Sequence, residues 1–363
     1  MAKRISVDGF LFVITLLLVF VGLVMVFSAS AVIAKERYHS GYFFLLRQLG
    51  WAVGGFIAMM AGMRMDYRRL KHPAVVFSLL GLTTLLLISV FFLDRAHHTH
   101  RWIHFSGFSF QPSELAKPVL ILFLAFFLEN RTKFMDDARN TLIPAVLPTF
   151  VFIVLIVFQP DLGTAIACAA VTVCILFVAG LEMKCLAYSL LLSLLPLYFL
   201  IFHVAYRRDR ILAFLNPYSD PQGRGFHIIQ SLIAVSTGGL TGVGLMEGKE
   251  KLFYLPEPHT DFIFSVLGEE LGLVGCLAVV FLFAIFLWRG ARTALRTGDM
   301  FGRLLAVGIT SMVVVQAFIN ISVVLGLMPT KGIPLPLISY GGSSLFITLA
   351  CIGVLLNVSK QAA

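Results

Sequence analysis

Ionisable side chains inside or beside long apolar segments are the first candidates for chemistry in this chain. A charged group is costly at membrane depth, and residues of this kind usually mark a functional site. Six residues stand in such positions: Glu114, Lys117, Asp161, Asp261, Glu269 and Glu270. Five acids and one cation suit acid–base chemistry or the binding of a charged substrate.

Asp261 closes the polar segment LPEPHTD at 255–261 and stands directly before an apolar run. An acid in the first turn of a helix is favoured by the helix dipole, and Thr260 is a candidate N-cap for the same turn. Capping does not explain why a carboxylate lies beside a glycine-rich loop at a membrane boundary. From the residues alone, a capping role and a catalytic role both remain open.

Glu114 and Lys117 are three residues apart, so they share one face of a predicted helix and can pair. They predict either a buried ion pair that makes both charges tolerable, or a cation for a phosphate-bearing lipid held by its acid partner. Asp161 follows Pro160 and could simply cap the next helix. The pair at 269–270 is expected about two turns inside the eighth span.

Arginines between the apolar segments supply cations, and a guanidinium is a natural partner of pyrophosphate. Five of them fall in loops on one predicted side: Arg101, Arg207, Arg208, Arg210 and Arg224. One of these loops also crowds histidines next to an acid, at Asp94, His97, His98, His100 and His104. Their spacing matches no standard metal site, so we predict none.

The composition places these residues in a membrane protein. Of 363 residues, 59% are hydrophobic and only 13% are charged, whereas a soluble domain carries roughly 25% charged residues. A net charge of +9 then reflects orientation in the membrane, and no nucleic acid is expected as a partner. The five cysteines all fall in apolar runs and predict no disulfide framework.

Apolar runs of roughly 20 residues can cross a membrane. They predict an all-α, polytopic membrane protein with one transmembrane domain over 1–363 and ten spans, near 9–33, 43–63, 74–93, 113–129, 142–158, 161–180, 185–204, 262–288, 303–326 and 341–359. Fifteen lysines and arginines fall on the side of the termini and five in the short loops opposite, which predicts cytoplasmic N- and C-termini. Residues 205–261 form the large extracytoplasmic loop, with a short helix expected near 228–235.

Five segments carry a resemblance to a known family. They are RW at 101–102 with QPSELAK at 111–117, QPDLGT at 159–164, GRGFHIIQS at 223–231 with GG at 238–239, LPEPHTDFIFSVLGEELG at 255–272, and PTKGIPLPLISYGGSS at 329–344. In this order, over nearly the whole chain, they resemble the SEDS family of cell-shape, division and sporulation proteins. Residues 252–254 and 329–332 look more like the division branch of that family than the elongation branch.

The resemblance implies the SEDS fold and an inverting peptidoglycan glycosyltransferase. Such an enzyme polymerises lipid II into glycan strands at the outer face of the bacterial cytoplasmic (inner) membrane, for septal wall synthesis in cell division. The resemblance also implies protein partners, namely a class B penicillin-binding protein that crosslinks the strands and other membrane proteins of the division machinery. The family's essential acid falls on Asp261.

Asp261 would act as a general base in this reaction. Lipid II carries its sugar α-linked to pyrophosphate and the glycan is β-linked, so one displacement inverts the anomeric carbon. Partial burial and a nearby acid such as Glu257 would raise the pKa of Asp261 enough to accept the proton of the attacking hydroxyl. The leaving pyrophosphate needs cations, for which Arg101, Lys117 and Arg210 are candidates. A divalent cation could share that role, although the sequence names no ligands for one.

Nine residues besides Asp261 are expected to bind the substrate: Arg101, Glu114, Lys117, Asp161, Arg210, Glu257, His259, Ser339 and Ser343. The small residues at 339–344 could line a groove that opens sideways to the lipid. They could equally let the start of the tenth helix pack closely against its neighbours.

Other functions stay compatible with the residues. A lipid II flippase would use Glu114, Lys117 and Asp161 along a passage. A scaffold would need these charges only for structure. An elongation polymerase would share the glycosyl transfer chemistry. The placement of Asp261 and the long loop on one side favours an enzyme, because a transporter more often spreads its acids along a pathway. Polymerisation of lipid II by the purified protein separates an enzyme from a flippase or scaffold.

Overall fold

The computed structural model describes residues 7–93, 101–105, 108–132, 137–252 and 254–361. Twelve α-helices dominate this part of the chain: α1 Gly9–Tyr38, α2 Phe43–Arg64, α3 Pro73–Leu93, α4 Pro112–Leu128, α5 Ile143–Phe158, α6 Leu162–Val178, α7 Met183–Phe202, α8 Ala205–Leu215, α9 Phe226–Thr237, α10 Ile263–Arg296, α11 Met300–Val324 and α12 Gly342–Gln361. Two short antiparallel strands, β1 (Ile103–Phe105) and β2 (Phe108–Phe110), pair just before α4. The predicted all-α class is confirmed, with this hairpin as the exception.

Each of the ten predicted spans coincides with a helix. Seven helices in the described ranges are long and apolar enough to cross a membrane: α1, α2, α3, α5 with its preceding turn (Arg139–Phe158), α10, α11 and α12. The other three predicted spans are α4, α6 and α7, with 17, 17 and 20 residues. The chain is a multi-pass membrane protein, and a total of ten spans stays a prediction.

The two termini lie at the same end of the bundle. Asp8, which caps α1, forms an ion pair with Arg289 of α10 at 2.5 Å. The amide of Asp8 also donates to the Ser359 hydroxyl at 3.2 Å, near the end of α12. We call this the terminal end. That it faces the cytoplasm stays a prediction.

Helix α10 is broken at Gly272, whose φ of 65° and ψ of −164° are not helical. The glycine-rich loop at 238–244 fills the break, because Val243 donates to the carbonyl of Glu269 at 3.0 Å and Leu273 donates to the carbonyl of Gly239 at 2.9 Å. Residues 263–271 therefore form a separate short arm of α10.

The C-terminal end of the short arm lies far above the terminal end. The Ser28 hydroxyl donates to the carboxylate of Glu270 at 2.6 Å, and Ser28 stands 20 residues along the chain from Asp8. At a rise of about 1.5 Å per residue, this contact is roughly 30 Å above Asp8. The hydrocarbon core of a bilayer is also about 30 Å thick.

The N-terminal end of the short arm lies at a similar height. The carbonyl of His259 accepts a 2.9 Å hydrogen bond from Tyr340, just before α12. Between Ser359 and Gly342, α12 rises 17 residues, or roughly 26 Å. Residues 263–271 therefore run across the bundle, near the membrane boundary opposite the termini.

This arrangement corrects the expected depth of Glu269 and Glu270. A continuous helix would carry them two turns below its start, inside the apolar layer. Because the chain bends at Gly272, the apolar span begins only after the break, and both acids stay at the boundary. The energetic cost of placing them within hydrocarbon is thereby avoided.

The segment 205–261 is folded against the bundle. The predicted short helix near 228–235 is confirmed as α9. Ser231 of α9 bonds the Ser265 hydroxyl at 2.8 Å and donates to the carbonyl of Val324 at 2.7 Å, which ties α9 to α10 and α11. The extracytoplasmic placement of this segment, and the treatment of 1–363 as one domain, stay predictions.

We expect Gly242→Ala to destabilise the fold much more than the neighbouring Gly239→Ala. Both glycines have positive φ, at 81° and 53°, but a Cβ on Gly242 would stand 2.1 Å from the carbonyl oxygen of Glu270, whereas one on Gly239 meets nothing within 4 Å. The contact should cost about 1–3 kcal/mol of unfolding free energy beyond the control. Thermal unfolding in detergent measures the difference, and equal losses would contradict the docked loop.

Candidate functional site

Asp261 lies at the start of the short arm, where two loops meet. Asn320 of α11 donates through its amide to the carbonyls of Asp261 at 2.8 Å and Ile333 at 2.7 Å. The Ser339 hydroxyl donates to the carbonyl of Thr260 at 2.6 Å. These contacts hold the segment before α10 against the loop between α11 and α12.

The carboxylate of Asp261 approaches the backbone of Gly332 closely, since a Cβ there would stand 2.7 Å from Oδ2. Any larger residue would push the carboxylate away. Within the described ranges, that carboxylate accepts no hydrogen bond. Burial, and then the charge of Glu257, raise its pKa to about 7. A carboxyl group with this pKa can take up a proton at neutral pH.

Two arginines approach Asp261 and oppose this rise in pKa, Arg210 more strongly than Arg101. Arg210 in α8 donates to the carbonyl of Thr330 at 3.1 Å and lies over the ring of Tyr206 at 4.3 Å. Arg101 donates to the carbonyl of Gln159 at 3.0 Å and to that of Pro160. Both guanidinium groups are thus anchored through backbone carbonyls near the acid.

Lys331 is a site residue that the sequence reasoning missed. Burial, and then the charge of Arg210, lower its pKa to about 8, while Asp161 acts in the opposite direction. Its neighbour in the chain, Gly332, is the residue whose backbone the Asp261 carboxylate approaches. The sequence signal for this residue is the lysine of the PTKGIP motif at 329–334.

Asp161 is the N-cap of α6, as one of its two interpretations predicted. Its carboxylate accepts hydrogen bonds from the amide of Thr164 at 3.1 Å, the hydroxyl of Thr164 at 2.8 Å and the side chain of Gln111 at 3.1 Å. Its charge also acts on both Asp261 and Lys331. Asp161 therefore caps a helix and contributes negative charge to the site.

Glu114 and Lys117 form a buried ion pair, with the ammonium 2.9 Å from both carboxylate oxygens. Lys117 also donates to Gln316 at 2.6 Å, and Gln316 donates to the carbonyl of Pro334 at 3.0 Å. All three side chains are buried. The pair links α4 to α11 and to the loop that holds Lys331, so its geometry favours the structural interpretation.

The remaining predicted residues surround the segment before α10. His259 packs its ring 4.6 Å from that of Phe44, and its Nδ1 is buried without a hydrogen-bond partner among the described residues. Ser339 braces this segment, as its hydroxyl also accepts from the amide of Leu335 at 2.7 Å. Ser343 is buried in the first turn of α12, which suits close helix packing.

The structure thus brings together a core set of residues through their charges: Asp261, Glu257, Arg210, Arg101, Asp161 and Lys331. Glu114, Lys117, Ser339 and Ser343 lie in the elements that hold this set. No group of three or more potential metal ligands occurs among the described residues, and Asp94, His97, His98 and His100 lie outside them. A base flanked by anchored cations can activate a hydroxyl and stabilise an anionic leaving group.

Comparison with known proteins identifies the family of this chain. The family model for FtsW, RodA and SpoVE, described as cell cycle protein, matches residues 9–363. A probable peptidoglycan glycosyltransferase FtsW of Geobacter metallireducens is 46% identical over 94% of this chain and 91% of its own length. The stage V sporulation protein E of Bacillus subtilis is 44% identical over 99% of both chains.

Solved structures give the same result. A chain of a peptidoglycan synthase complex, studied for the coordination of polymerization and crosslinking, superposes with a TM-score of 0.80 at 32% identity over 98% of both chains. The rod shape determining protein RodA of Thermus thermophilus superposes with a TM-score of 0.71 at 29% identity, over 98% of this chain and 97% of that one. The chain therefore belongs to the FtsW/RodA/SpoVE family of cell cycle proteins, the SEDS family that its motifs resemble.

Proposed function

We propose that this protein is a peptidoglycan glycosyltransferase that polymerises lipid II, with Asp261 as its general base. The observation that carries the proposal is the state of the Asp261 carboxylate, which has a pKa near 7 and lies beside anchored cations. The relatives named as peptidoglycan glycosyltransferases support the same activity. The septal role in division is supported by the FtsW names among them.

The base role follows from burial. A carboxylate in water has a pKa near 3.9 and is a weak base at neutral pH. Burial penalises the charged form of Asp261, and the like charge of Glu257 adds to that penalty. The deprotonated side chain can then remove the proton of the acceptor hydroxyl while its oxygen attacks the anomeric carbon. General base catalysis of this type contributes roughly 10²–10⁴-fold to a rate.

The leaving pyrophosphate departs without a proton and requires positive charge. Arg210 and Arg101 supply two cations whose charges act on Asp261, and Lys331 adds a third beside Arg210 and Asp161. Because backbone carbonyls already orient the two guanidinium groups, little reorganisation is needed when the leaving group becomes charged. Lys117 would act on the substrate only by giving up its contact with Glu114, so we assign it to holding the site.

The height of the short arm suits a lipid-linked substrate. Asp261 lies at the arm's N-terminal end, near the membrane boundary opposite the termini. The polyprenyl tail can stay in the lipid while the pyrophosphate and sugar meet the cations and the base. This geometry supports an active face on the extracytoplasmic side of the cytoplasmic membrane. The positive charge of the opposite, terminal end would keep the two termini in the cytoplasm.

A crosslinking partner belongs to the proposal. The structural neighbour with the higher TM-score is a chain of a peptidoglycan synthase complex. By analogy, we expect this protein to work with a class B penicillin-binding protein and with other membrane proteins of the division machinery.

Asp261→Asn should reduce glycan polymerisation from purified lipid II by about 10²-fold or more, because an amide cannot accept the hydroxyl proton. Gel analysis of labelled glycan strands measures the loss. Asp220→Asn, in an exposed turn of the same loop, serves as the matched control and should polymerise normally. Full polymerisation by the Asp261 variant would remove it from the base role. Lipid II movement between leaflets without any polymerisation by the wild type would instead favour a flippase.

The pH dependence of kcat/KM should be bell-shaped. Asp261 is deprotonated only above its pKa of about 7, so activity rises through that pH; Lys331 loses its charge above its pKa of about 8, so activity then falls. Glu257→Gln removes a like charge and should move the rising limb to lower pH. Lys331→Arg should abolish the falling limb. A rising limb near the ordinary pKa of an aspartate would contradict the base assignment.

Glu114→Gln should lower the free energy of unfolding by about 3–5 kcal/mol, because it leaves the buried ammonium of Lys117 without its counter-charge. The double variant Glu114→Gln, Lys117→Met should recover most of that loss, as measured by thermal unfolding in detergent. No recovery would contradict the buried-pair account. Polymerisation lost in a restored double variant would assign Lys117 to substrate binding after all.

A further inference from the structure

A second polar site lies outside the residues around Asp261. A cavity of about 370 Å³ opens between α1 and the segment at 246–252. Ser28, Ala31 and Val32 of α1 form one wall. The other wall carries two lysines, Lys249 and Lys251, and one acid, the exposed Glu247. The proposed reaction uses none of these residues.

Lys251 is a buried cation with hydrogen-bonding capacity to spare. Only 4% of its side chain is exposed, and its ammonium donates to the Ser28 hydroxyl at 3.0 Å and to Glu270 at 2.5 Å. An ammonium carries three N–H donors. Since these two acceptors are its contacts among the described residues, one donor remains for a ligand in the cavity that Lys251 lines.

The cavity lies at the depth of lipid phosphates. Ser28 is roughly 30 Å above Asp8 along α1, about one hydrocarbon thickness. Val32, one turn further along, is 42% exposed on the outer surface of the helix. The cavity therefore combines an apolar wall that continues onto the lipid-facing surface with two lysines at the height where phospholipid head groups begin.

We propose that this cavity binds the phosphate group of a membrane phospholipid, with Lys251 and Lys249 as its cations. The acyl chains leave along α1 past Val32. A volume of about 370 Å³ lies within the range of small-ligand sites and accommodates a phosphoglycerol head group. Binding is reversible and involves no covalent step.

The site is coupled to the catalytic segment through Glu270. This acid pairs with Lys251 and closes the C-terminal end of the short arm, and Asp261 stands at the other end. A phosphate on the third donor of Lys251 stabilises the conformation in which the Lys251–Glu270–Ser28 contacts are made. Lipid occupancy should therefore stabilise the short arm as well as the cavity.

The test measures binding of phosphatidylglycerol to delipidated full-length protein in detergent, by native mass spectrometry and by the shift in thermal unfolding. Wild type should bind saturably. Ala31→Phe fills the cavity without changing any charge and should abolish that binding, while Lys249→Gln, at an exposed side chain, should weaken it about tenfold. Lys184→Gln, at an exposed lysine in the first turn of α7 at the terminal end, is the matched control and should bind as wild type does.

Unchanged binding in both Ala31→Phe and Lys249→Gln would overturn the proposal. A parallel titration with inorganic phosphate distinguishes a lipid from a free anion. If phosphate shifted thermal unfolding saturably and as much as phosphatidylglycerol does, the site would bind free anions and the lipid assignment would be overturned. Asp261→Asn should bind the lipid like wild type. Lipid binding by this variant tests the cavity independently of the proposed catalytic role, which is tested only by polymerisation.

Discussion

The break in α10 at Gly272 is the constraint on which the rest of the structure depends. A straight helix whose apolar span began after Gly272 would carry Asp261 well above the membrane, and one that began at Asp261 would bury Glu269 and Glu270 within it. Because the chain bends there and the glycine-rich loop bonds to the freed backbone groups, the short arm turns across the bundle. Irregular backbone near the hydrocarbon requires this kind of protein partner. The bend therefore sets the height of Asp261, which is where the proposed base would meet a lipid-linked substrate.

Charges near the boundary are handled in two different ways. In the pairs Glu114–Lys117 and Glu270–Lys251 the two charges neutralise each other at 2.9 and 2.5 Å. The lysine of each pair also bonds to a distant helix, Lys117 to Gln316 of α11 and Lys251 to Ser28 of α1. Asp261 has no such partner among the described residues, and its pKa rises instead. Removing one member of a paired set leaves an uncompensated charge, which is why such pairs mainly hold structure. The unpaired acid is the one left available for proton transfer.

Sequence patterns predicted the helices well because the physical requirement is simple. A span needs a long apolar run, and all ten runs became helices. The depth of Glu269 and Glu270 was wrong, because apolar length does not reveal a bend when a glycine sits inside a helical pattern. Lys331 was missed for a related reason: a lysine in a loop looks solvated until its neighbours bury it.

The sequence by itself determined the membrane class, the helical elements and the family to which the chain belongs. It also indicated Asp161 as a candidate N-cap of α6. Those properties depend on local composition and on motifs that lie next to one another in the chain. Only the tertiary structure decided which charges are paired, which charges are near Asp261, and at what height Asp261 lies relative to the membrane boundary. Arg210, Arg101 and Asp161 stand far from Asp261 in the sequence, so their electrostatic effect on its carboxyl group arises only when folding brings those segments together.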